Sequence, residues 1–470
     1  MDIRCENEGK RLFLYHLAQV FLHEKAESLR MEAKQDGNRF CVTLTGTTTF
    51  SGEAEMDLKT HLQPHRAEQV ALGLAFARAA LPLSGYTPPY GTLIGVRPVK
   101  VPLFYLEQGQ PKEAVISLLK RDFLVSEEKA KLLVTLAERE AAFQNSLSEN
   151  EGMLYVSIPF CPSRCSYCSF VSSAAPRHLS LIPDYLSLLE NEVEQTATLL
   201  REANRSISAV YIGGGTPGIL TAAQMNSLLQ RIRNQFPHPL KEFCVEMGRP
   251  DTVTKEKLQV LSSFGVDRIS INPQTTCNDT LLRIGRKHSA EDFFCAMELA
   301  KQFPFAINCD LISALPGETP EIFLRSVEET LALEPENLTI HALCLKKSAD
   351  DRTEAMPQPE FHQAVEIAYN RCINHGLQPY YLYRQKKSAL DLENFGFAKE
   401  GHLGIYNLAM MEDLCDIFAC GAGGIGKLIP RSPEGKITRF AGFKYPFEYL
   451  SQSDKIAEKL DRIRAEWNRR

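Results

Sequence analysis

The stretch Leu154-Tyr-Val-Ser-Ile-Pro-Phe-Cys-Pro-Ser-Arg-Cys-Ser-Tyr-Cys-Ser-Phe170 joins an apolar strand pattern to a short loop that carries three cysteines. Similar strand patterns follow at Ala209–Ile212, Phe243–Met247, Arg268–Asn272, Ala306–Ile312 and Leu338–Ala342. Amphipathic helix patterns fill the gaps, at Ile182–Leu200, Ala222–Phe236, Lys255–Phe264, Ala290–Phe303 and Glu321–Leu333. This alternation predicts an α/β fold with parallel strands, and six such units predict a partial TIM-like (β/α)6 barrel. The working groups of a barrel lie at the carboxyl ends of its strands, where the cysteine loop begins.

The regions on either side of the barrel have different patterns. Residues 1–145 predict a small N-terminal α/β domain of unknown role, with strands at Asp2–Cys5 and across Arg39–Phe50 and helices at Leu12–Leu22, His65–Ala80 and Glu127–Phe143. A polar stretch, 144–152, predicts a linker to a barrel at residues 153–349. Residues 350–470 predict an α+β C-terminal segment, with a helix at Glu360–Asn374, a strand at Tyr380–Arg384, a glycine-rich turn at Gly421–Gly426 and a closing helix at Pro446–Trp467.

Composition excludes several classes of protein. The chain has 470 residues, 44% of them hydrophobic, and a formal charge of -5, so no overall basic field favours nucleic acid. The longest apolar stretch, Val70–Leu81, is interrupted by Arg78 and is too short to span a membrane. The first ten residues lack the basic and apolar regions of a signal peptide, and 13 cysteines are an odd number. We therefore expect a cytoplasmic protein with reduced thiols.

Cys161, Cys165 and Cys168 stand at three-then-two spacing on the loop after the first barrel strand. A buried thiol cluster or a zinc site is an alternative, but structural zinc takes four protein ligands, usually as two separated pairs. Three thiolates on one loop suit a [4Fe-4S] cluster whose fourth iron is left open for another ligand. An open iron indicates chemistry rather than electron storage.

The motifs around this loop resemble those of a known family. The C-x3-C-x2-C spacing with an aromatic residue before the last cysteine resembles the radical S-adenosylmethionine (radical SAM) superfamily. Tyr155-Val-Ser-Ile-Pro-Phe-Cys161 and Tyr211-Ile-Gly-Gly-Gly-Thr-Pro217 are similar to its oxygen-independent coproporphyrinogen III oxidase branch. With the extra N-terminal region and the motifs Tyr383-Arg-Gln-Lys-Lys387 and Gly421-Ala-Gly-Gly-Ile-Gly426, the chain most resembles the HemZ-like members.

The resemblance implies a set of site residues. The cluster ligands would be Cys161, Cys165 and Cys168. S-adenosylmethionine would be held by residues at successive strand ends and by their neighbours: Tyr155, Tyr167, Gly214, Gly215, Thr216, Glu246, Gln274, Arg286, Asp310 and Ile425. Taken singly, an acid such as Glu246 or Asp310 is as readily a solvent-exposed strand end. As one polar ring at the carboxyl end of a barrel, these residues favour a working site. No catalytic acid or base is assigned.

The resemblance also implies a reaction and its partners. The substrate would be coproporphyrinogen III, and a reduced donor such as a flavodoxin or ferredoxin would supply an electron. A 5'-deoxyadenosyl radical would remove a hydrogen atom from each of two propionates, which would become vinyl groups. The C-terminal segment would cover the substrate, with Arg384, Lys386, Lys387 and Asn394 as candidate propionate donors. The cofactors would thus be a [4Fe-4S] cluster and S-adenosylmethionine, with no nucleic acid and no membrane span.

Two departures from the family keep other functions open. Phe170 stands where the oxygen-independent oxidases place a fourth cysteine, and Cys344 stands where a small residue would border a second S-adenosylmethionine. A haem-trafficking chaperone of the same superfamily would also keep the cysteine loop and the glycine triplet. A radical enzyme with another tetrapyrrole substrate, such as a C-methyltransferase, would share the barrel. A purely structural iron-sulfur protein would not need the polar ring.

Overall fold

A computed structural model of the chain describes residues 1–61, 63–168, 176–344, 360–385, 392–431 and 435–469. The chain forms two compact units, Met1–Ala141 and Ala142–Arg470. Among the described residues, no helix combines the length and the apolar character that crossing a bilayer requires. The boundary between a barrel and a separate C-terminal segment at residues 349 and 350 stays a prediction.

The first unit is a four-stranded sheet covered by helices. Its strands are β1 (Asp2–Arg4), β2 (Arg30–Asp36), β3 (Arg39–Thr45) and β4 (Thr49–Glu55), in the order β1-β2-β3-β4. Its helices are α1 (Glu8–Leu22), α2 (Leu58–His61), α3 (Pro64–Ser84), α4 (Lys100–Glu107), α5 (Lys112–Asp122) and α6 (Glu127–Asn145), the last of which ends in the second unit. Alternate residues of β3 are buried against α1 and α3, as its period-two pattern requires. Strand β2 and helices α4 and α5 were not predicted.

The second unit continues with β5 to β10, each followed by helical chain. The strands are β5 (Glu151–Ile158), β6 (Ser206–Gly214), β7 (Glu242–Gly248), β8 (Arg268–Ile271), β9 (Ala306–Ser313) and β10 (Asn337–Ala342). The helices between and after them are α7 (Pro176–Leu179), α8 (Ile182–Glu202), α9 (Ala222–Gln235), α10 (Lys255–Ser263), α11 (Asn278–Arg283), α12 (Ala290–Ala300), α13 (Pro320–Ala332) and α14 (Phe361–Asn374). All six predicted barrel strands are confirmed. Capping boxes begin α9 at Thr221 and α12 at Ser289.

The remaining strands extend the same sheet at both edges, and three more helices accompany them. They are β11 (Gln378–Arg384), β12 (Glu393–Ala398), α15 (Ile405–Glu412), β13 (Asp416–Cys420), β14 (Ile425–Leu428), β15 (Thr438–Ala441), α16 (Pro446–Ser451) and α17 (Asp454–Trp467). The sheet has 11 strands in the order β11-β12-β10-β9-β8-β7-β6-β5-β13-β14-β15. Strand β13 pairs parallel with β5, so seven adjacent strands are parallel and the barrel is open. The predicted closing helix is two helices, because the chain leaves helical geometry between Ser451 and Asp454.

The amino ends of the barrel strands hold a buried charged network. The Arg268 guanidinium donates to Glu242 Oε2 at 3.0 Å, to Asn337 Oδ1 and to the carbonyls of residues 402–403 at 3.1 Å each. The Glu242 carboxylate also accepts from the backbone N–H groups of residues 405–406, at 3.0 and 3.1 Å. Every one of these side-chain groups has a protein partner, which is how a buried ion pair offsets its loss of hydration.

Candidate functional site

The cysteine loop starts at the carboxyl end of β5 and is anchored to the end of β6. The N–H of Gly215 donates to the carbonyl of Ile158 at 2.8 Å, and the N–H of Thr216 donates to that of Phe160 at 2.7 Å. The Phe160 ring is fully buried and packs edge-on against Tyr185, with centroids 5.1 Å apart. The chain is therefore fixed by backbone bonds and by packing immediately before the first cysteine.

The glycine triplet allows this close approach. A Cβ on Gly215 would lie 2.5 Å from the Phe160 carbonyl oxygen and 3.0 Å from Cys161 Sγ. Gly214 has φ of 114°, a conformation that residues with a side chain rarely adopt. Thr216 Oγ1 donates to Cys161 Sγ at 3.4 Å. The predicted residues Gly214, Gly215 and Thr216 thus lie directly against the first cysteine, and the loop itself requires the glycines.

The second half of the cysteine loop is attached to the segment after α11. The Ser166 N–H donates to the carbonyl of Ile284 at 3.0 Å, and Ser163 Oγ donates to that of Gly285 at 3.1 Å. The loop is thus held at both ends by different parts of the barrel. Such double anchoring fixes the relative positions of thiols that are three and two residues apart.

Arg286 connects this segment to the aromatic residue of the loop. Its guanidinium, 7% exposed, donates to Tyr167 OH at 3.2 Å, to the Asn272 carbonyl at 2.7 Å and to His288 Nδ1 at 3.4 Å. Asn272 Oδ1 and His288 Nε2 are buried and have no hydrogen-bond partner among the residues that the structure describes. Burial and the charge of Arg286 lower the pKa of His288 to about 3, so this imidazole is neutral. The neighbourhood of Arg286 therefore contains one unused acceptor, Asn272 Oδ1, and one unused donor, the N–H at His288 Nε2.

Glu246 is held weakly by the protein. Tyr211 OH donates to its Oε2 and Asn272 Nδ2 donates to its Oε1, both at 3.4 Å. Burial, together with the negative charge of Asp310, raises the pKa of Glu246 to about 8. The carboxyl group is therefore largely protonated near neutral pH, although the charge of Arg286 acts to lower its pKa.

Asp310 is in the opposite state. Asn308 Nδ2 donates to its Oδ1 at 2.8 Å, His341 Nε2 lies 3.8 Å from its Oδ2, and Tyr383 OH lies 3.2 Å from His341 Nδ1. Burial acts to raise the pKa of Asp310, but the hydrogen bond and charge of His341, with help from Asn308, outweigh burial and lower it. One ionised and one protonated carboxyl group therefore share the same end of the barrel.

Gln274 is positioned by the neighbouring strand. Its φ is 69°, in the left-handed region that costs a residue with a side chain about 1 kcal/mol. Its N–H donates to the Asp310 carbonyl and its own carbonyl accepts from the Ile312 N–H, both at 2.9 Å. These two bonds extend the sheet past β8 and hold the buried Gln274 beside Asp310.

The remaining predicted residues occupy two different environments. The Tyr155 ring stacks on those of Tyr211 and Tyr406, with centroids 6.2 and 6.1 Å apart, inside the barrel. Burial, and then the charge of Glu246, raise the pKa of Tyr155, so its hydroxyl stays neutral. Ile425 is half-exposed at the first position of β14, two strands from β5.

The motifs of this site match known proteins. The sequence pattern of the Radical SAM superfamily matches residues 155–330. The chain is 35% identical over 434 residues to the "oxygen-independent coproporphyrinogen-III oxidase-like protein HemZ" of Bacillus subtilis (strain 168), across 89% of this chain and 86% of HemZ. This chain belongs to the HemZ family of radical SAM proteins. The predicted family is thereby confirmed.

Two further proteins resemble this HemZ family member. The "heme chaperone HemW" of Bacillus subtilis (strain 168) is 31% identical over 283 residues, across 58% of this chain and 70% of HemW. The solved structure of coproporphyrinogen III oxidase (HemN) from Escherichia coli superposes with a TM-score of 0.52 at 22% identity, across 68% of this chain and 72% of HemN. The structural likeness to HemN confirms the predicted radical SAM barrel.

The radical SAM superfamily uses a [4Fe-4S] cluster and S-adenosylmethionine, and the residues of this site suit both. Three partly exposed thiols lie on one doubly anchored loop, as cluster ligands require. Among the described residues, Asn272 Oδ1 is a buried acceptor without a partner, and His288 Nε2 is a buried N–H donor without one, because Nδ1 accepts from Arg286. A polar ligand would satisfy these two groups and the weakly bonded, protonated Glu246. The fit rests on the protein's own unsatisfied groups.

A single metal ion fits less well. Within the described ranges, no three His, Cys, Asp or Glu side chains converge as they would around one ion. A four-iron cluster binds each thiolate through a different iron, so its ligands need not converge.

The structure adds residues that the sequence did not single out. His341, Asn272 and His288 lie among the predicted ones, and His341 could have been found as a polar residue at the end of a predicted strand.

The Asn394 side chain is structural rather than a propionate donor. Its Oδ1 accepts from the Ala342 N–H, and its Nδ2 donates to the Tyr383 carbonyl. Phe170, Lys386 and Lys387 lie outside the described residues.

Proposed function

We propose that this protein is an oxygen-independent coproporphyrinogen III dehydrogenase of haem biosynthesis. It converts two propionate side chains to vinyl groups and so forms protoporphyrinogen IX. For each propionate, one hydrogen atom is removed, carbon dioxide leaves, and one electron passes to an acceptor. The electron donor and the electron acceptor are separate molecules.

One observation carries this proposal over the other members of the superfamily. The match to HemZ covers 89% of the chain, whereas Ala142–Arg470 holds only 329 of the 470 residues, so the match extends into the first unit. The match to HemW covers 58% and does not require that unit. HemZ is described as an oxidase-like protein, and this chain shares its organisation along most of its length.

Within the proposed site, the cysteine loop holds the cluster. When bound, the reduced cluster and S-adenosylmethionine supply hydrogen-atom abstraction. Cys161, Cys165 and Cys168 provide the thiolates, and the anchored backbone keeps their spacing fixed. Tyr167 is held by Arg286, which donates to its hydroxyl group.

The two carboxyl groups have separate tasks in this proposal. Asp310, ionised and fixed by Asn308, would accept hydrogen bonds from hydroxyl groups of the cofactor's ribose. Glu246 would hold the cationic amino group of the methionine portion, and that charge would lower the raised pKa of Glu246 so that its proton passes to solvent. Of the candidate propionate donors, Arg384 lies within the described residues, at the end of β11.

The test is anaerobic reconstitution of the cluster, followed by incubation with coproporphyrinogen III, S-adenosylmethionine and a reductant. We expect mono-vinyl and then di-vinyl products by mass analysis, with 5'-deoxyadenosine released in step with them. The Cys165→Ala variant, carried through the same procedure, should yield neither product. Absence of decarboxylated product from fully loaded wild-type protein, under several reductants, would refute the proposal.

A haem-trafficking role is the second candidate, because HemW is 31% identical over its matched region. A chaperone would bind haem stoichiometrically and would release 5'-deoxyadenosine slowly, whether or not coproporphyrinogen is present. Haem titration followed by the Soret absorbance, on the same reconstituted sample, separates the two functions. We expect no saturable binding at one haem per chain.

A further inference from the structure

We propose that Tyr185 and Glu192, two buried residues of α8, position the glycine turn Gly421–Gly426 for the binding of S-adenosylmethionine. Both are positioning residues, because each acts through the backbone of the turn rather than on the cofactor itself. The inference rests on the part of the proposed site that places Ile425 of this turn against S-adenosylmethionine. It does not depend on the tetrapyrrole substrate or on its decarboxylation.

The glycine turn lies against the strand ends that carry the cysteine loop. Ser157, near the end of β5, donates from its hydroxyl group to the Ala422 carbonyl at 2.6 Å. A Cβ on Gly214 would lie 2.9 Å from the same hydroxyl oxygen. The turn that follows β13 is therefore one side chain away from the glycine triplet that borders Cys161.

Tyr185 joins this turn to the start of the cysteine loop. Its hydroxyl group accepts from the Ala422 N–H and donates to the Ser157 carbonyl, both at 2.9 Å. Burial raises the pKa of Tyr185 well above its ordinary value, so the hydroxyl keeps the proton that it donates. Its ring packs edge-on against Phe160, the residue before Cys161. One side chain thus contacts both segments.

Glu192 holds the same turn from a position seven residues later, on the same face of α8. It is 1% exposed, and its Oε2 accepts from the Gly421 N–H and from Tyr449 OH of α16, both at 2.7 Å. Lys459 of α17 donates to its Oε1 and to the Ala419 carbonyl. Hydrogen bonds to a charged acceptor are strong, so the carboxylate and its partners fix the first residue of the turn.

The composition of the turn explains why it needs such anchors. Four of its six residues are glycine, the residue type that loses most conformational freedom when it is ordered. A Cβ on Gly421 would lie 2.5 Å from the Tyr185 hydroxyl oxygen, so this contact requires a glycine. The hydrogen bonds from α8 order the turn before a ligand arrives, and the binding of S-adenosylmethionine does not bear that entropic cost.

The first test removes a single oxygen atom. Tyr185→Phe keeps the ring against Phe160 and loses both hydrogen bonds of the hydroxyl group. It should raise the Kd for S-adenosylmethionine about 10-fold in anaerobic calorimetry of the cluster-loaded protein, with wild-type iron content. In dithionite-driven cleavage, the KM for S-adenosylmethionine should rise by about the same factor, with a smaller change in kcat.

The second test asks whether an oxygen at position 192 is what the turn needs. Glu192→Gln combined with Lys459→Met leaves no buried charge alone and keeps an acceptor for the Gly421 N–H. It should bind S-adenosylmethionine within about 2-fold of wild type, whereas Glu192→Met with Lys459→Met, which lacks the acceptor, should bind about 10-fold more weakly.

A matched control separates positioning from stability. Tyr105→Phe, in the first unit, also removes a buried hydroxyl, one that bonds His61 Nδ1 at 2.7 Å. It should lower the midpoint of urea unfolding and leave the Kd unchanged. Equal affinity of Tyr185→Phe and wild type would overturn the role of Tyr185, and equal affinity of the two double variants would overturn that of Glu192. Neither result would affect the proposed decarboxylation, which is measured on wild-type protein.

Discussion

The two ends of the same barrel differ in how their charged side chains are paired. At the amino ends of the strands, Arg268, Glu242 and Asn337 satisfy one another and the nearby backbone. At the carboxyl ends, and within the described ranges, Glu246 accepts two long hydrogen bonds of 3.4 Å and Asn272 Oδ1 has no partner. Burial without pairing costs stability, so a protein keeps such groups where a ligand will pair them.

This difference separates a structural network from a binding site more clearly than residue type does. Both ends hold glutamate, arginine and asparagine side chains. The glutamate of the amino end is paired with an arginine, whereas that of the carboxyl end has its pKa raised to about 8. We expect the stability of the amino end to depend on its own ion pairs, and the groups of the carboxyl end to be satisfied by a bound ligand.

The largest effect is expected from the cysteine loop. Replacing Cys161, Cys165 or Cys168 with Ala should abolish iron incorporation and the absorbance of the reconstituted cluster, because each supplies one of three thiolates. Iron and sulfide analysis measures this outcome. Cys5→Ala and Cys41→Ala, in the first unit, should retain full iron content, and a loop variant that also retained it would remove that cysteine from the ligand set.

The next effect is on stability at the amino end. Arg268→Ala should lower the free energy of unfolding by about 3–5 kcal/mol, since it leaves the Glu242 carboxylate buried without its cation. Urea unfolding measures the loss. Arg286→Ala removes an equally buried guanidinium at the carboxyl end and should cost less, because the nearby Glu246 is protonated. Equal losses in both variants would contradict the distinction between the ends.

A smaller effect is expected on cofactor affinity at the carboxyl end. Glu246→Gln, Arg286→Ala and Asp310→Ala should each weaken S-adenosylmethionine binding about 10- to 100-fold while leaving the cluster spectrum unchanged, since each removes a polar contact of a buried ligand. Anaerobic calorimetry provides the measurement. The exposed Asp279→Ala serves as the control and should bind normally. Unchanged affinity in all three test variants would show that the ring is structural.

The smallest effect is a dependence of stability on pH. The folded pKa of Glu246, about 8, lies above its unfolded value, so the folded state binds the extra proton between about pH 4.3 and 8. Stability without ligand should therefore fall as pH rises through that window. Glu246→Gln should remove that part of the slope in urea unfolding. A slope that Glu246→Gln leaves unchanged would assign the titration to another group.

The sequence by itself determined the six barrel strands and the place of the cysteine loop. Strand patterns such as Leu338–Ala342 are local, since a buried parallel strand must be apolar along its length. The cysteine spacing is also local, because all three thiols lie within eight residues. These features needed no knowledge of what packs against them.

Only the tertiary structure decided the edges of the sheet and the state of the site. Strands β12 and β13 were not predicted, because β13 is defined by its parallel pairing with β5, more than 250 residues earlier. The different protonation of Glu246 and Asp310 likewise depends on burial and on His341, which β10 brings beside β9. Pairing partners and dielectric surroundings are properties of the folded chain, and a residue's identity does not contain them.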